Sequence, residues 1–444
     1  MKNTAWTSLL GFIALMAASV PSARGQTSCA PAFANETLTP ACPGSVRTIA
    51  SFDDGTGAGP RFFAGGTLST LGGVAVLTGS GWLRPGAGLA GTVYALEAID
   101  TPTGQVLFAG GDITGGLATW DGAAWQTVTP GPGSGVTAIV RYDDQSGTGP
   151  AIFVMAGNLL KKQTTAGWTT VATVNNGALD RAIQRMLVLD DFDPTTHRPA
   201  IVMASSVAFG NLTGRGIVSS TGIMRYDGQS VANVPTSPFG SWTKSAVVFD
   251  DAVHGPCLFV SGHSSLGTFT TTIARFDAPS QTWAEVGPRV VNGFGDAAYG
   301  MSVFADGASP LPRLWGVGGT DIAINPLATV GAWDGAAWTS FSRAQLTSPS
   351  SMSYHVATRA GTLGAARIPA MLVATSWGNS TPLFAVIGCP RCAADVDLDG
   401  HVSASDLFMY LDAWFAHGRS ADRNGNGLSV QDIFDYLNAW WAGC

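Results

Sequence analysis

The sequence predicts a mainly β chain, built from repeated four-strand units in a radial array, followed by a small helical module. Three observations carry this. Glycine accounts for 57 of 444 residues and charged residues for only 12%, against about 7% and about 25% in average soluble domains. A short phrase of apolar run, glycine and Asp-Gly turn recurs along most of the chain. After Cys389 the composition changes, and aspartates appear at alternate positions. Helices need polar outer faces and few glycines, so a helix-rich enzyme is excluded, as is a disordered polar chain. The net charge of −7, from 23 basic and 30 acidic residues, leaves no basic face for nucleic acid.

Residues 1–25 read as an export signal. Lys2 gives a positive start, the apolar run 9–20 is short for a bilayer span, and Ala23-Arg24-Gly25 offers small residues around a cut. No later run is long enough to span, so the expectation is a secreted, extracellular or cell-surface protein without a transmembrane segment once the signal is removed. All six cysteines follow the cut, in an oxidising compartment. Cys29 and Cys42 bracket a Pro-rich segment, 26–45, and are expected to pair locally; Cys389 or Cys392 with Cys444 would staple the last segment. Cys389-Pro-Arg-Cys392 lacks the second ligand pair that zinc needs. The connectivity stays open among all pairings of the six.

From 46 to 388 one sentence is written about seven times. It opens on a strand ending in an acidic turn, as at Phe52-Asp53-Asp54-Gly55, Tyr142-Asp143-Asp144 and Phe249-Asp250-Asp251. An apolar run follows, such as Phe62-Phe63-Ala64-Gly65-Gly66, Leu107-Phe108-Ala109-Gly110-Gly111 or Leu314-Trp315-Gly316-Val317-Gly318-Gly319. The third phrase is a turn between aromatics: Trp120-Asp121-Gly122-Ala123-Ala124-Trp125 and Trp333-Asp334-Gly335-Ala336-Ala337-Trp338 are near copies. Apolar β-branched runs between such turns are buried strands, and Asp-Gly supplies the positive φ of a tight hairpin. Four strands per unit of about 49 residues make one blade of a radial array. The prediction is a β-propeller of seven blades, with six as the alternative.

The glycine doublet followed by an aromatic and then a tryptophan, as in Gly110-Gly111…Trp120…Trp125 and Gly318-Gly319…Trp333…Trp338, resembles the kelch-type propellers. The doublet decays to single glycines at Gly157 and Gly262 and is lost near Ala204 and Ala374. Glycan hydrolysis needs two placed carboxylates, yet Glu97 and Glu285 are the only glutamates of the repeat. Most of its aspartates sit in repeated turn positions, where a side chain bonding its own backbone accounts for them. His254, Cys257 and His263 form the one His/Cys cluster, but Cys257 falls where a core residue belongs. No catalytic residue is assigned.

The module 389–444 carries the most specific pattern. Asp395, Asp397, Asp399, His401 (through its carbonyl), Ser403 and Asp406 fall at positions 1, 3, 5, 7, 9 and 12 of a calcium loop, with Gly400 at the sharp turn. Leu407, Tyr410, Leu411 and Trp414 then follow at helical spacing. A second unit repeats this with Asp422, Asn424, Asn426, Leu428 (carbonyl) and Asp432, followed by Ile433, Tyr436, Leu437 and Trp440. It is one residue shorter and two aspartates poorer, so one Ca2+ site is expected in the first loop and weaker binding in the second. Two such units resemble type I dockerins, calcium-folded modules that dock cellulosomal enzymes onto cohesins, and the terminal Gly443-Cys444 is similar to the GC-type dockerin group of bacterial surface and secreted proteins. The resemblance implies a cohesin-like partner or surface-anchoring machinery, and places Ala404, Ser405, Val430 and Gln431 at that contact. Phe415 and Trp441 are further candidates for it.

The whole reads as a secreted, non-enzymatic binding protein: the propeller presents a ligand or protein surface and the calcium-dependent tail attaches it to a surface or assembly. The alternative is a polysaccharide-binding or polysaccharide-degrading component of a dockerin–cohesin-type complex.

Overall fold

The computed structural model describes residues 32–34, 41–53, 59–102, 104–173, 183–190, 192, 198–205, 223–234, 243–250, 253–262, 273–286, 297–307, 311–319, 330–341, 356–363, 368–375, 380–381, 383–388, 394, 396, 402–415 and 429–442. The chain divides into two units, one holding the strands and one holding the two C-terminal helices. Among the described residues no helix is long and apolar enough to cross a membrane.

The strand unit is a β-propeller. Seven four-stranded antiparallel sheets follow one another along the chain. Their innermost strands are Ser45–Phe52, Gly91–Thr101, Val136–Tyr142, Ile183–Leu189, Thr243–Asp250, Ala297–Phe304 and Val356–Leu363. The second strand of each sheet is buried almost throughout, as in Phe62, Phe63 and Ala64 or Val202, Met203 and Ala204. Such a strand reads as a continuous apolar run because both its faces are covered. Seven apolar clusters supply the covering, each drawing side chains from two sheets adjacent in chain order, and the last joins the seventh sheet to the first. In that closing cluster Phe62 and Ala64 meet Ala370, Leu372 and Ala374.

The ring closes through the N-terminal chain. Ala32–Ala34 pairs with Leu383–Ile387 as the outermost strand of the seventh sheet, whose other strands come from the end of the repeat. Cys42–Pro43 pairs in turn with Ser380–Thr381. The segment 26–45, read from the sequence as a separate Cys-bracketed stretch, thus contributes strands to the propeller. Joining chain start to chain end in one sheet ties the first and last units together. Cys42 is a free, fully buried thiol in the closing cluster, and its expected partner Cys29 lies outside the described residues. Burial pushes the Cys42 pKa up to about 12. Cys29, Cys389, Cys392 and Cys444 lie outside the described residues, whereas Cys257 is a free, buried core thiol.

The glycine doublets have two separate steric causes. A β-carbon on Gly110 would run into Val136 on the inner strand of the next sheet, and one on Gly111 would strike the backbone carbonyl of Thr92 on its own inner strand. Thr92 precedes a β-bulge between Val93 and Ala95. Comparable register shifts occur in the first six inner strands, between Val46 and Thr48, Val136 and Ala138, Ile183 and Arg185, Thr243 and Ser245, and Ala298 and Gly300. Bulges turn a strand and strengthen its twist, which here bends each inner strand at the same repeat position. Where the doublet decays the pairing persists: Met155, Ala204 and Ser261 stand opposite the residue after the bulge.

Hydroxyls on the inner strands bind neighbouring inner strands. Leu96 N–H donates to Thr48 Oγ1 at 3.3 Å, Met301 N–H to Ser245 Oγ at 3.1 Å and Ala360 N–H to Ser302 Oγ at 3.1 Å. An inner strand has a free edge, and these side chains satisfy backbone donors along it.

Candidate functional site

The tail is built from two copies of one unit. The helices Ala404–Phe415 and Val430–Ala442 bury Leu407 and Tyr410 from one copy, Tyr436 and Trp440 from the other, and Ala394. Tyr410 and Tyr436 are stacked with centroids 3.9 Å apart and rings 4° from parallel. The tryptophans exchange partners: Trp414 Nε1 donates to the Ser429 carbonyl at 3.1 Å, and Trp440 Nε1 to the Ser403 carbonyl at 2.9 Å. Each helix end therefore fixes the start of the other helix, an arrangement with approximate two-fold symmetry.

The helix starts show why Asp closes both loops. Ser403 N–H donates to Asp406 Oδ2 at 2.8 Å and Ser405 N–H to Ser403 Oγ at 3.1 Å. Ser429 N–H donates to Asp432 Oδ2 at 2.7 Å in the same way. These are capping boxes with Asp in the acidic position, which also suits the positive end of the helix dipole. Both carboxylates are fully buried. Val396 N–H donates to Asp406 Oδ1 at 2.6 Å, tying the second residue of the first loop to its twelfth.

Of the expected calcium ligands, Ser403, Asp406 and Asp432 are described and sit at these caps; Asp395, Asp397, Asp399, His401, Asp422, Asn424, Asn426 and Leu428 lie outside the described residues. The residue types at these positions are the oxygen donors that a hard cation takes, and the described carboxylates of Asp406 and Asp432 accept backbone N–H groups at the helix starts. The ion would supply the positive charge around which the acidic loop folds. Among the described residues no three His, Cys, Asp or Glu side chains gather as a metal site.

The contact residues inferred from the resemblance all lie on the surface. Ala404, Ser405 and Gln431 are exposed and Val430 is 58% exposed. They head two apolar stripes that the sequence reading captured only at Phe415 and Trp441. Ala404, Phe408 and Phe415 on one helix, and Val430, Phe434 and Trp441 on the other, lie at i, i+4 and i+11 and so share a helix face. Phe408, Phe415, Phe434 and Trp441 are all more than half exposed. Equivalence between the two copies was the missed signal: Phe408 and Phe434 each follow a core residue in the same frame.

In the propeller, the aspartates of three hairpin turns act on their own backbone, whereas Asp144 and Asp306 are buried and paired with Lys162 and Arg313. Asp121 Oδ1 accepts from Ala123 and Ala124 N–H at 2.9 and 2.7 Å, Asp334 Oδ1 from Ala336 and Ala337 N–H at 2.8 Å each, and Asp227 Oδ1 from Gln229 and Ser230 N–H at 3.0 and 2.8 Å. The N–H groups of Ala337 and Ala336 hold Asp334 below its ordinary pKa, and those of Ala124 and Ala123 do so for Asp121. Cross-strand aromatics brace these turns, with Trp120–Trp125 and Trp333–Trp338 centroids 5.2 and 5.5 Å apart. Glu97 is paired with Arg359 and Glu285 lies exposed on an outer strand. His254 Nδ1 lies 2.6 Å from Arg275 Nη1, and Cys257 packs inward, so these two serve the sheet. His263 lies outside the described residues.

No known protein family matches this sequence, and no curated protein matches it either. The chain is similar in structure to the extracellular domain of BT4673 from B. thetaiotaomicron, at 12% identity and a TM-score of 0.48, over 80% of this chain and 40% of that one. It is also similar to BBS1N, solved in complex with ARL6DN, at 10% identity and a TM-score of 0.46, over 80% and 97%. PorZ, a bacterial surface component of the type-IX secretion system of Porphyromonas gingivalis, matches at 15% identity and a TM-score of 0.27, over 77% and 45%.

Proposed function

We propose that the chain is an exported binding protein without catalytic activity, in which the propeller presents a ligand-binding or protein-binding surface and the tail attaches it to a cohesin-like partner at a surface or in an assembly. The observation that carries this reading is the tail's doubled geometry. Two helices with the same buried face also present the same outward stripe, headed by Ala404 and Val430 and continued by Phe408, Phe415, Phe434 and Trp441. Exposed aromatics concentrated on so small a module are characteristic of a contact surface. Calcium enters as the ion that folds the two loops and holds the helix starts, so attachment depends on it.

The test is retention of the full chain on an immobilised type I cohesin, with calcium and with excess chelator. Retention in calcium, lost on chelation and on Phe434→Ala with Trp441→Ala, supports the reading. Equal passage of the chain through the column in both conditions contradicts it. Release of product from polysaccharides by the purified chain would instead make it a degrading enzyme.

A further inference from the structure

Three charged side chains, Glu97, Arg185 and Arg359, stand on inner strands of the propeller. Glu97 stands on the inner strand of the second sheet and Arg359 on that of the seventh, with Ser45–Phe52 of the first sheet running between them. The Arg359 guanidinium donates to both carboxylate oxygens of Glu97, from Nη2 at 3.0 Å and from Nη1 at 3.4 Å. An ion pair joining two strands that flank a third closes over the inward edge of that third strand. The pair therefore stands in the central channel.

Arg185 belongs to the same group. It follows the bulge of the fourth inner strand, on the far side of the ring from the first sheet. Burial lowers its pKa, the charge of Arg359 lowers it further, and Glu97 opposes both, so all three groups share one electrostatic environment. It is partly accessible to solvent on that strand. Arg359 has its carboxylate partner, whereas Arg185 has no hydrogen bond or ion pair among the described residues. Among these three described groups, two guanidiniums stand against one carboxylate.

An enclosed charge without a partner costs folding free energy, and walls of low dielectric strengthen its pull on an anion. The guanidinium's planar fork matches a carboxylate or phosphate oxygen pair. We propose that the central channel is an oxyanion site, in which Arg185 and Arg359 grip the acid group of a small ligand from opposite sides while Glu97 holds the Arg359 fork in place. This deepens the reading of the propeller as a binding module and is independent of the tail.

The experiment is calorimetric titration of the full chain at low ionic strength with malonate and, separately, with inorganic phosphate, against chloride at equal ionic strength. One saturable site per chain is expected. Tighter malonate binding identifies a carboxylate ligand, and tighter phosphate binding a phosphorylated one; both fit an oxyanion site. Arg185→Gln should weaken binding about tenfold or more, with its thermal transition no lower than that of the parent because no ion pair is broken. Glu97→Gln keeps a hydrogen-bond acceptor for Arg359 but removes the competing charge, and should tighten binding. Absence of saturable binding to both probes, an Arg185→Gln variant that binds like the parent, or weaker binding by Glu97→Gln would overturn the proposal. Retention on cohesin is scored on the same preparations, so failure here is separable from failure of the tail's assigned role.

Discussion

In the propeller, Leu107 and Ala109 of one sheet pack with Val74 and Val76 of the sheet before it, and comparable contacts repeat around the ring. In the tail, one stacked tyrosine pair and two partner-exchanging tryptophans hold two helices of 12 and 13 residues. The first region has apolar surface enough to fold by burial alone. The second is of a size at which burial leaves little margin, and small domains then draw on metals or disulfides. Under the proposed reading, calcium in its acidic loops would supply the stability that burial does not. The difference teaches where each region is vulnerable: the propeller to steric and charge defects between strands, the tail to loss of its loops.

The largest expected effect on stability lies in the propeller. Lys162 and Asp144 form a buried ion pair at 2.6 Å, with side-chain exposures of 10% and 7%. Lys162→Met strands the carboxylate and should cost about 3–5 kcal/mol, while adding Asp144→Leu should recover most of it; urea unfolding of both variants checks this. Gly111→Ala should cost about 3 kcal/mol, because its β-carbon meets the Thr92 carbonyl. Gly104→Ala, where nothing lies within 4 Å of the new carbon but φ is +124°, should cost only about 1 kcal/mol by the same assay. In the tail, Ser429→Ala removes a cap and should lower helix stability by about 1 kcal/mol, read from the far-ultraviolet melting of the helices.

Asp334 is held below its ordinary value by Ala337 and Ala336 N–H. For Asp227, burial raises the pKa but hydrogen bonds from Ser230 and Gln229 and the charge of Arg225 outweigh it. A carboxylate with a depressed folded pKa contributes stability above its unfolded value of about 3.9 and loses it as pH falls through the folded value. Propeller stability should therefore be flat from neutrality down to about pH 4 and decline below that, as a pH series of urea midpoints would show. Asp334→Asn should reduce that decline slightly.

Much of the fold was legible because its signals are local. Asp334-Gly335 needs only its own turn, and Trp333 with Trp338 need only that hairpin. The helical spacing of Leu407, Tyr410, Leu411 and Trp414 is likewise contained in one short stretch. What escaped the sequence depends on distant partners. The strand Ala32–Ala34 has no alternating pattern and becomes recognisable only when paired with Leu383–Ile387. The ion pair of Glu97 and Arg359 joins residues 262 apart, brought together by ring closure. Cys42 looked like half of a local disulfide because it follows Cys29 closely, yet its place is the core between the last sheet and the first. Phe408 and Phe434 were hidden by the core stripe beside them.

Scanning calorimetry of the full chain, with calcium and then with excess chelator, tests the central contrast most directly. In calcium two transitions are expected, one for the propeller and one for the tail. A ligand bound only by the folded state, present at about 100 times its dissociation constant, adds about 2.7 kcal/mol; for a module this small that shifts its midpoint by about 10 °C or more. Chelation should move or abolish the tail transition, with parallel loss of helical signal, and leave the propeller transition in place. Superimposable traces in the two conditions would contradict the account.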